Sequence, residues 1–384
     1  MPSLLIITPN YAPLICGVGH HSQVLAGRLR QRGWTVSILT KRTHGWCLLQ
    51  EGAAEQPMGK QLQKAILQSL PHTSANTKLL WQYAPNGFSN KGMPVFLIAL
   101  MLRLRLQGIR QYIFFHEIAM RTLGYGSRQM LFSMVQKWLA NKMNVLAKAS
   151  ATSIALYQQY CWLYKPIIIP AGSNFQLPKQ PPAPIVSEGL RCCCFTNRCS
   201  HALLQAFAQW LVDNPAHQLI LIGQANPAQT AQIQQWLSEL KLQSSVQCLG
   251  ALPATDMMDQ LLLSDIVLQW QPRTANGQGG VSAKNGTIAA AMQAGKPIIT
   301  IAGDMTEATY FRHGQTCWLL QEDTPQAWLD AVQELGGNAT LRQQLGHAAQ
   351  ACYQQYMSDT VLTNQFEKLL NNELMSQCAN ELMS

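Results

Sequence analysis

Residues 3–40 have the sequence SLLIITPNYAPLICGVGHHSQVLAGRLRQRGWTVSILT, and this stretch decides the fold class. Its apolar run Ser3–Thr8 predicts a strand, and the glycine-containing loop that follows leads into a helix expected over about residues 21–32. Gly33 then ends the helix, and residues 35–40 predict the next strand. A strand, a glycine-rich loop, a helix and a second strand in this order are typical of a parallel α/β layer.

The same alternation of short apolar runs and helical stretches continues along the chain. Further strands are predicted over residues 79–83, 112–116, 151–155, 167–170, 190–195, 218–223, 245–249, 266–269, 297–301 and 317–320. The simplest account is two doubly wound α/β units joined near residues 175–186. Residues 359–383 have a helical pattern that periodicity assigns to neither unit.

The composition is that of a globular chain whose charge is unevenly distributed. Of the 384 residues, 47% are hydrophobic, which excludes a disordered chain, and the length excludes a single small binding module. Residues 1–180 carry 19 Lys and Arg against three acids, a charge of +16, whereas residues 181–384 carry nine against 16, a charge of −7. The basic half predicts a polyanionic partner, namely an anionic membrane, a phosphorylated acceptor or a nucleic acid. The alternative is mutual attraction between the two halves.

The cysteines and the amino-terminal residues indicate a reducing, cytoplasmic setting. The 11 Cys include one cluster, Cys192-Cys193-Cys194, and no paired CxxC motif that would indicate a metal site or a disulfide framework. The first residues lack the charged segment of a signal peptide and run directly into the first predicted strand. The longest apolar run, residues 93–102, is about half as long as a transmembrane helix requires.

The first candidate ligand-binding segment lies between the first predicted strand and the first predicted helix. Glycines in Gly17-Val18-Gly19 allow the backbone to approach a ligand closely, and exposed amides at a helix N-terminus favour phosphate. The segment is not the dinucleotide fingerprint, because the third glycine and the acidic residue after the second strand are absent. The alternative for His20 and His21 is a position on the helix surface.

The second candidate is His116-Glu117, at the carboxyl end of a hydrophobic strand. Open α/β sheets bind ligands at this end of their strands, and an imidazole exchanges protons near neutral pH. Glu117 is one of only three acids in the basic half. The alternative is a hydrogen-bonded histidine beside a glutamate that offsets nearby arginines.

The third candidate is the loop Gly279-Gly280-Val281-Ser282-Ala283-Lys284-Asn285-Gly286-Thr287, which leads into an apolar helix. Amides of a glycine-flanked loop that opens a helix, together with the Lys284 ammonium, form a suitable cradle for a diphosphate. Arg198, after the strand that ends at Phe195, supplies a second cation. The alternatives are a surface loop with an incidental lysine and a helix-capping or ion-pairing arginine.

Taken together, these segments resemble the GT-B-fold glycosyltransferases of the large retaining family 4 group. The resemblance covers about residues 3–355, and its strength lies in the order of its motifs. The motifs are Pro9-Asn10-Tyr11-Ala12-Pro13 with Gly17-Val18-Gly19, Gln82-Tyr83-Ala84-Pro85, Phe115-His116-Glu117, Ile169-Pro170-Ala171-Gly172-Ser173-Asn174, Leu221-Ile222-Gly223, Leu249-Gly250-Ala251-Leu252-Pro253, Ser264-Asp265-Ile266-Val267 and Ala291-Met292-Gln293-Ala294-Gly295-Lys296-Pro297.

The resemblance implies two Rossmann-like domains that face each other across a cleft. Residues 1–178 would form the acceptor-side domain and residues 186–355 the nucleotide-sugar domain. Residues 356–384 would form a C-terminal helix that packs back on the first domain. No metal and no cofactor are expected, since Lys, Arg and helix amides neutralise the leaving diphosphate and the nucleotide-diphosphate sugar is itself a co-substrate.

The resemblance also implies roles for individual residues. His116 and Glu117 would be catalytic, with His116 contacting the transferred sugar or the acceptor hydroxyl. The backbone near Gly250 and Leu252 would contact the base. The donor-binding residues would be Gly17, Val18, Gly19, Arg198, Gly250, Leu252, Ser282, Lys284, Asn285, Gly286 and Thr287.

Two departures from the family pattern favour an alternative function. Ser282 and Ala290 stand where most members have a pair of glutamates, and Ser200-His201 stands where a lysine is expected. Some bacterial members have a basic segment that Gly280-Val281-Ser282 resembles, so these departures are compatible with catalysis. The leading hypothesis is a retaining transferase that moves a sugar to an acceptor hydroxyl on a glycan, lipid or small molecule. The alternative is a catalytically silent GT-B protein that binds a nucleotide, a glycan or another subunit.

The basic half suggests an acceptor that lies at an anionic membrane or carries phosphate. Residues 95–106 are apolar but include Arg103 and Arg105, so they are a candidate interfacial helix, with an ordinary buried helix as the alternative. A peripheral position on the inner face of the membrane would follow. No nucleic-acid partner is expected, because the basic half lacks interleaved aromatic residues and any known nucleic-acid-binding module.

Overall fold

The structure is a computed structural model that describes residues 1–14, 16–70, 77–120, 127–183, 188–223 and 226–371. The chain divides into unit 1, formed by Met1–Pro170 with Asp359–Ser384, and unit 2, formed by Ala171–Ser358. Unit 2 begins before the expected domain end at residue 178, because the Ala171 amide donates a hydrogen bond to the Ala283 carbonyl, 2.9 Å away. Of the expected C-terminal segment, residues 372–384 lie outside the described part of the chain.

The described residues form two sheets and the helices around them. The strands are β1 (Ser3–Thr8), β2 (Thr35–Arg42), β3 (Gly45–Leu49), β4 (Gln56–Gly59), β5 (Lys78–Tyr83), β6 (Gln111–Phe115), β7 (Ala149–Thr152), β8 (Ile167–Ile168), β9 (Arg191–Phe195), β10 (Gln218–Ile222), β11 (Val246–Gly250), β12 (Ile266–Gln269), β13 (Ile298–Ile301) and β14 (Trp318–Leu320). The helices are α1 (Gly17–Gln31), α2 (Leu62–Ser69), α3 (Pro85–Phe88), α4 (Phe96–Leu106), α5 (Ser127–Leu146), α6 (Ala155–Gln159), α7 (His201–Asp213), α8 (Pro227–Glu239), α9 (Ala254–Leu262), α10 (Gly286–Gln293), α11 (Pro325–Gly337), α12 (Ala339–Tyr356) and α13 (Asp359–Asn371).

Unit 1 contains a sheet with the strand order β4-β3-β2-β1-β5-β6-β7-β8. The six strands β2, β1, β5, β6, β7 and β8 pair in parallel, as the alternating pattern predicts. β3 and β4 extend the sheet with antiparallel pairing, which the sequence interpretation missed. β4 consists of Gln, Pro, Met and Gly and has no apolar run, whereas the short apolar run of β3, residues 46–49, was not assigned to a strand.

Unit 2 contains a parallel sheet with the order β11-β10-β9-β12-β13-β14. The strand β9 lies in its middle and contains the triple cysteine cluster. Cys192 and Cys194 pack into one apolar cluster and Cys193 into the other, so the side chains alternate between the two faces of the sheet. The three thiols are thus core residues. The two sheets and the helices around them confirm the prediction of two doubly wound α/β units.

The C-terminal helix α13 belongs to unit 1, although unit 2 precedes it in the chain. Leu362, Phe366 and Leu369 are buried in the core formed with β1, β6 and α1. An ion pair joins Asp359 to Arg28 of α1, and the indole Nε1 of Trp34 donates a 2.9 Å hydrogen bond to the Glu367 carboxylate. The prediction of a C-terminal helix that returns to the first domain is therefore confirmed.

His21 of α1 is buried in the same core. Its ring stacks on Phe114, with centroids 4.9 Å apart, and lies 5.8 Å from the ring of Phe366. Burial and the nearby Arg28 charge lower the pKa of His21 to about 3. The helix-surface alternative is wrong for this residue, because His21 is one of the buried residues of α1, which begins at Gly17.

No helix among the described residues is long and apolar enough to cross a membrane. Helix α4 buries Leu97, Leu100, Met101 and Leu104 against unit 1. Its other face leaves the apolar side chains of Phe96, Leu102 and Leu106 exposed.

Truncation of Phe366 tests the contribution of α13 to unit 1. We expect Phe366→Ala to lower the free energy of unfolding of unit 1 by about 3–5 kcal/mol, because a buried aromatic ring leaves a cavity. Urea unfolding followed by circular dichroism measures the change. The control Lys368→Ala, at an exposed position of the same helix, should change stability by less than about 0.5 kcal/mol. Equal effects of the two substitutions would contradict this account.

His21 should make unit 1 sensitive to acid. Because its pKa is about 3 when folded and 6.5 when unfolded, only the unfolded chain binds this proton between those pH values. The contribution is complete above pH 6.5 and is lost as the pH falls toward 3, amounting to about 2 kcal/mol by pH 5. Comparing urea unfolding at pH 7 and pH 5, we expect His21→Phe to lose that part of the pH dependence. The exposed His347→Ala control should retain it, and a His21→Phe protein with the wild-type pH dependence would refute the assignment.

Candidate functional site

The loop between β1 and α1 brings its backbone close to the helix N-terminus. The Thr8 hydroxyl donates to the Asn10 carbonyl at 2.9 Å. A Cβ atom on Gly19 would lie 2.8 Å from that same carbonyl oxygen, so only glycine fits there. Cys16, the N-cap residue, makes no side-chain capping hydrogen bond, which leaves first-turn amides of α1 without a cap. Gly17, Val18 and Gly19 form the first turn of α1, and their uncapped backbone amides suit an anion.

His116 lies directly after β6, at the carboxyl edge of the unit 1 sheet. Its amide donates to the Tyr83 carbonyl at 2.9 Å, and its Nε2 lies 2.6 Å from Oε1 of Gln82. An amide oxygen only accepts, so Nε2 carries the hydrogen and Nδ1 is the basic nitrogen of the neutral ring. The ring packs edge-on against His21, with centroids 4.9 Å apart. This arrangement holds a half-buried imidazole in one orientation.

Gln82 is a functional candidate that sequence reasoning named only as part of a motif. It is fully buried at the carboxyl end of β5, and its Nε2 has no hydrogen-bond partner among the described residues. The neighbouring Glu117 is exposed and forms no ion pair within the described chain. The two residues thus differ in their surroundings. A hydrogen bond to Gln82 fixes the His116 ring, whereas Glu117 is exposed to solvent.

In unit 2, the loop before α10 is held by close backbone contacts. The Gly279 amide donates to the Asp304 carboxylate at 2.8 Å, and the Gly280 amide donates to the Pro272 carbonyl at 3.0 Å. Both glycines have positive φ angles, and a Cβ on Gly280 would lie 2.3 Å from the Gly303 amide nitrogen. The paired glycines are therefore required by the fold of the loop itself.

Asn285 caps α10. Its side-chain oxygen accepts from the Thr287 amide at 3.0 Å and from the Thr287 hydroxyl at 2.6 Å, and Gln269 donates to that hydroxyl at 2.6 Å. The polar groups of Asn285 and Thr287 are thus engaged with one another. The first-turn amides of Gly286 and Ile288 have no acceptor within the helix, so they are free of intrahelical bonds at the end where helices attract anions.

Gly286 also lies against the segment that begins unit 2. A Cβ at this position would lie 2.7 Å from the Asn174 side-chain nitrogen. The side chain of Asn174 therefore occupies space beside the first turn of α10, and glycine is the residue that leaves room for it. Asn174 belongs to a predicted motif, but its place beside α10 was not predicted.

Arg198 ends a short 3-10 turn, Thr196–Arg198, that follows β9. Its carbonyl accepts from the Trp270 amide at 3.0 Å, which holds the turn next to β12. The guanidinium makes no hydrogen bond or ion pair to any residue in the described ranges, and its burial lowers the pKa of Arg198 without neutralising it. A partly buried arginine without an acid is suited to an external anion. The capping group of α7 is instead Ser200, which accepts from the Leu203 amide.

Arg273 is a further cation that sequence reasoning missed. It follows β12 by a few residues and pairs with Gly279 in an isolated antiparallel bridge. Its Nε is buried with no hydrogen-bond partner in the part of the chain that the structure describes. The sequence could have indicated Arg273, because it lies past the carboxyl end of a predicted strand and in the same loop as Lys284. Lys284 itself is half-buried.

The remaining predicted positions in unit 2 lie at or just after the end of β11, or are buried in the loop before α10 and in α10 itself. Gly250 ends β11, has a φ of +66°, and its carbonyl accepts from the Gly223 amide at 2.8 Å. Leu252 is half-buried and packs against an apolar cluster of unit 2. Ser282 is 3% exposed, and Ala290 is completely buried within α10, where a carboxylate would need a buried partner.

Comparisons with known proteins agree on the kind of fold. The family described as Glycosyl transferases group 1 matches residues 200–351. HepE from Anabaena, solved in complex with UDP-glucose, is 15% identical with a TM-score of 0.67, and the match covers 97% of this chain and 99% of that chain. Sucrose-phosphate synthase from Thermosynechococcus elongatus is 13% identical with a TM-score of 0.69, covering 98% and 100%.

A third similar structure is the pneumococcal O-GlcNAc transferase GtfA in complex with UDP and GlcNAc. It is 9% identical with a TM-score of 0.67, and the match covers 97% of this chain and 99% of that chain. No curated protein sequence matches the chain at a significant level. The predicted GT-B fold is therefore confirmed, and residues 200–351 match the family described as Glycosyl transferases group 1.

Proposed function

We propose that the protein is a retaining glycosyltransferase that moves a sugar from a nucleotide-diphosphate sugar to an acceptor hydroxyl. The observation that carries the proposal is the N-terminus of α10, where the amides of Gly286 and Ile288 have no intrahelical acceptor. Lys284 directly precedes this turn, and the group 1 glycosyltransferase domain contains it. The chemistry of this turn is that of a diphosphate-binding site.

The donor diphosphate would be held by positive charge and backbone amides alone. Lys284 and Arg198 supply full charges, and the α10 dipole supplies a partial one. Arg273 adds a third cation in the same loop. Because these groups offset the charge that develops on the leaving diphosphate, the reaction requires no divalent metal. Ser282 and Ala290 leave the sugar without the usual carboxylates, so we expect its hydroxyls to be held by neutral groups.

Unit 1 would supply the groups that act on the acceptor hydroxyl. The Gln82 hydrogen bond makes Nδ1 the accepting nitrogen of the His116 ring, which suits contact with a hydroxyl, and the amides of Gly17, Val18 and Gly19 suit an anion. In a retaining transfer the hydroxyl attacks the face from which the diphosphate leaves, and a leaving phosphate oxygen takes its proton. His116 would then orient the hydroxyl or sugar, and the exposed Glu117 would act nearer to the acceptor.

Uridine diphosphate is the first nucleotide to test. HepE and GtfA, whose folds this chain shares, were each solved with a uridine nucleotide bound. Gly250 and Leu252 would contact the base through the backbone at the end of β11. The sugars bound in those two structures differ: glucose in HepE and GlcNAc in GtfA.

Nucleotide binding by Lys284 and Arg198 tests the proposal. We expect calorimetry to show UDP binding to the wild type, with affinity reduced roughly tenfold or more in Lys284→Ala and in Arg198→Ala, since each loses a charge-assisted hydrogen bond. With the correct acceptor, turnover should proceed without added divalent cations, and NMR of the product should show the donor's anomeric configuration. Lys179→Ala, at an exposed position of unit 2, is the matched control.

The outcomes separate the proposal from its alternative. Nucleotide binding without hydrolysis or transfer over a broad acceptor screen would support a catalytically silent GT-B protein. Absence of binding by any nucleoside diphosphate, or an equal loss in Lys179→Ala, would reject the diphosphate site at α10.

A second proposal concerns the acceptor side: we propose that unit 1 docks on the cytoplasmic face of an anionic membrane. Helices α4 and α5 pack side by side and expose apolar side chains to solvent, including Phe96 at 49%, Leu131 at 58% and Trp138 at 46%. The loop at residues 160–164 is tied to α5 because the Trp162 amide donates to the Asn141 side chain at 2.9 Å. We define the apolar face by these exposed residues: Val95, Phe96, Leu102, Met130, Leu131, Met134, Trp138, Trp162, Leu163 and Tyr164.

Basic residues surround this apolar face. Arg103 and Arg105 lie in the last turn of α4, and Lys142 lies 5.7 Å from the centre of the Trp138 ring. An apolar surface with aromatic rings and adjacent cations fits the interface of an anionic bilayer. The acceptor would then be a lipid or a lipid-linked sugar.

Vesicle binding tests the apolar face. We expect co-sedimentation with vesicles that contain anionic phospholipid at low salt and release at high salt, because screening weakens the electrostatic contribution. The triple variant Leu131→Gln, Met134→Gln and Trp138→Gln should bind at least about tenfold more weakly, having lost apolar area. Val212→Gln, at an exposed apolar position in unit 2, should bind as the wild type does. No binding to anionic vesicles would reject the proposal.

A further inference from the structure

The antiparallel edge of the unit 1 sheet brings together three side chains that ligate metals. Cys47 of β3 pairs with Thr40 of β2 on one side and with Pro57 of β4 on the other. Side chains alternate between faces along each strand, so Arg42 and Glu55, two residues from those partners, lie on the same face as Cys47. His44 lies in the turn between β2 and β3. The set is thus created by strand pairing and not by a local sequence motif.

The distances within this set suit one ion. The Nε2 atom of His44 lies 3.1 Å from the Cys47 sulfur, and one ligand atom from each of His44, Cys47 and Glu55 lies within 4.8 Å of the others. Cys47 is buried, whereas His44 and Glu55 are exposed, so the group opens to solvent on one side. An ion has a route in, and water can complete its coordination.

Arg42 orients the carboxylate of the set. Its Nε donates to one oxygen of Glu55 at 2.8 Å and its terminal nitrogen donates to the other at 3.3 Å. Outer hydrogen bonds of this kind fix the ligating carboxylates of metal sites. The same guanidinium donates to the carbonyls of Tyr11 and Ala12, at 3.2 and 2.7 Å, in the loop that leads to the N-terminus of α1.

We propose that His44, Cys47 and Glu55 form a zinc-binding site. A thiolate, an imidazole and a carboxylate are the ligands that zinc takes in proteins, whereas magnesium and calcium prefer oxygen ligands alone. Binding releases the thiol proton of Cys47 to solvent, and water supplies the fourth ligand. The site has no part in sugar transfer; it crosslinks the β2–β3 turn, β3 and the residue before β4, and Arg42 connects it to the loop before α1.

The test is titration of the chelator-treated full-length protein with Co²⁺, a spectroscopic substitute for Zn²⁺. We expect one Co²⁺ per chain with a thiolate-to-cobalt charge-transfer absorption that Zn²⁺ abolishes by displacement. Cys47→Ser should lose the absorption, and His44→Ala, altered at an exposed turn, should keep the fold and bind at least about tenfold more weakly. Circular dichroism confirms that each variant is folded.

The controls use the same residue types elsewhere in the chain. Cys248→Ser and His347→Ala, both at exposed positions, should bind Co²⁺ as the wild type does. The proposal is overturned if no charge-transfer absorption develops, if Cys248→Ser removes it, or if folded His44→Ala binds with unchanged affinity.

Discussion

The constraint on which the rest of the structure depends is the complete burial of the parallel strands. All six residues of β1 are buried, as are four of the five in β9, so their backbone groups must be paired with neighbouring strands and their two faces covered by helices. The chain then leaves each sheet at the carboxyl ends of the strands. His116 follows β6 directly and Arg198 ends the turn after β9, so each sheet presents a polar side chain at this edge.

Much of this arrangement could be predicted from the sequence, because apolar runs identify buried strands whatever their neighbours are. The strand β12 was predicted to the residue, and the central strands of both sheets were predicted to within two residues at each end. The start of α1 was misplaced, since glycines at residues 17 and 19 indicate a loop by propensity but are tolerated in the first turn of a helix. The antiparallel strands β3 and β4 were missed: β4 has no apolar run, and the short apolar run of β3 was not assigned to a strand.

The candidate sites show where such prediction ends. Lys284 and Asn285 could be proposed from the sequence, because a loop with glycines before an apolar helix has a local signature. The hydrogen bond between Gln82 and His116, the placement of Asn174 beside Gly286, and the group formed by His44, Cys47 and Glu55 depend on which strands are neighbours. Cysteine spacing alone predicted no metal site, since spacing describes only ligands on one local segment. A candidate site whose residues are close in the sequence can be predicted from it, whereas one formed by neighbouring strands that are distant in the sequence cannot.

The return of α13 to unit 1 has a consequence for biosynthesis. A ribosome makes all of unit 2 before it makes Asp359, so unit 2 can close its core while the chain is still being elongated. Unit 1, made first, must wait for Leu362 and Phe366, and meanwhile the core surface they will cover is open to water. Arg28 and Arg32 of unit 1 also lack their acidic partners, Asp359 and Glu367, until those residues have been synthesised. The order of synthesis is thus opposite to the order of completion, and the last helix acts as the closing step for the first domain.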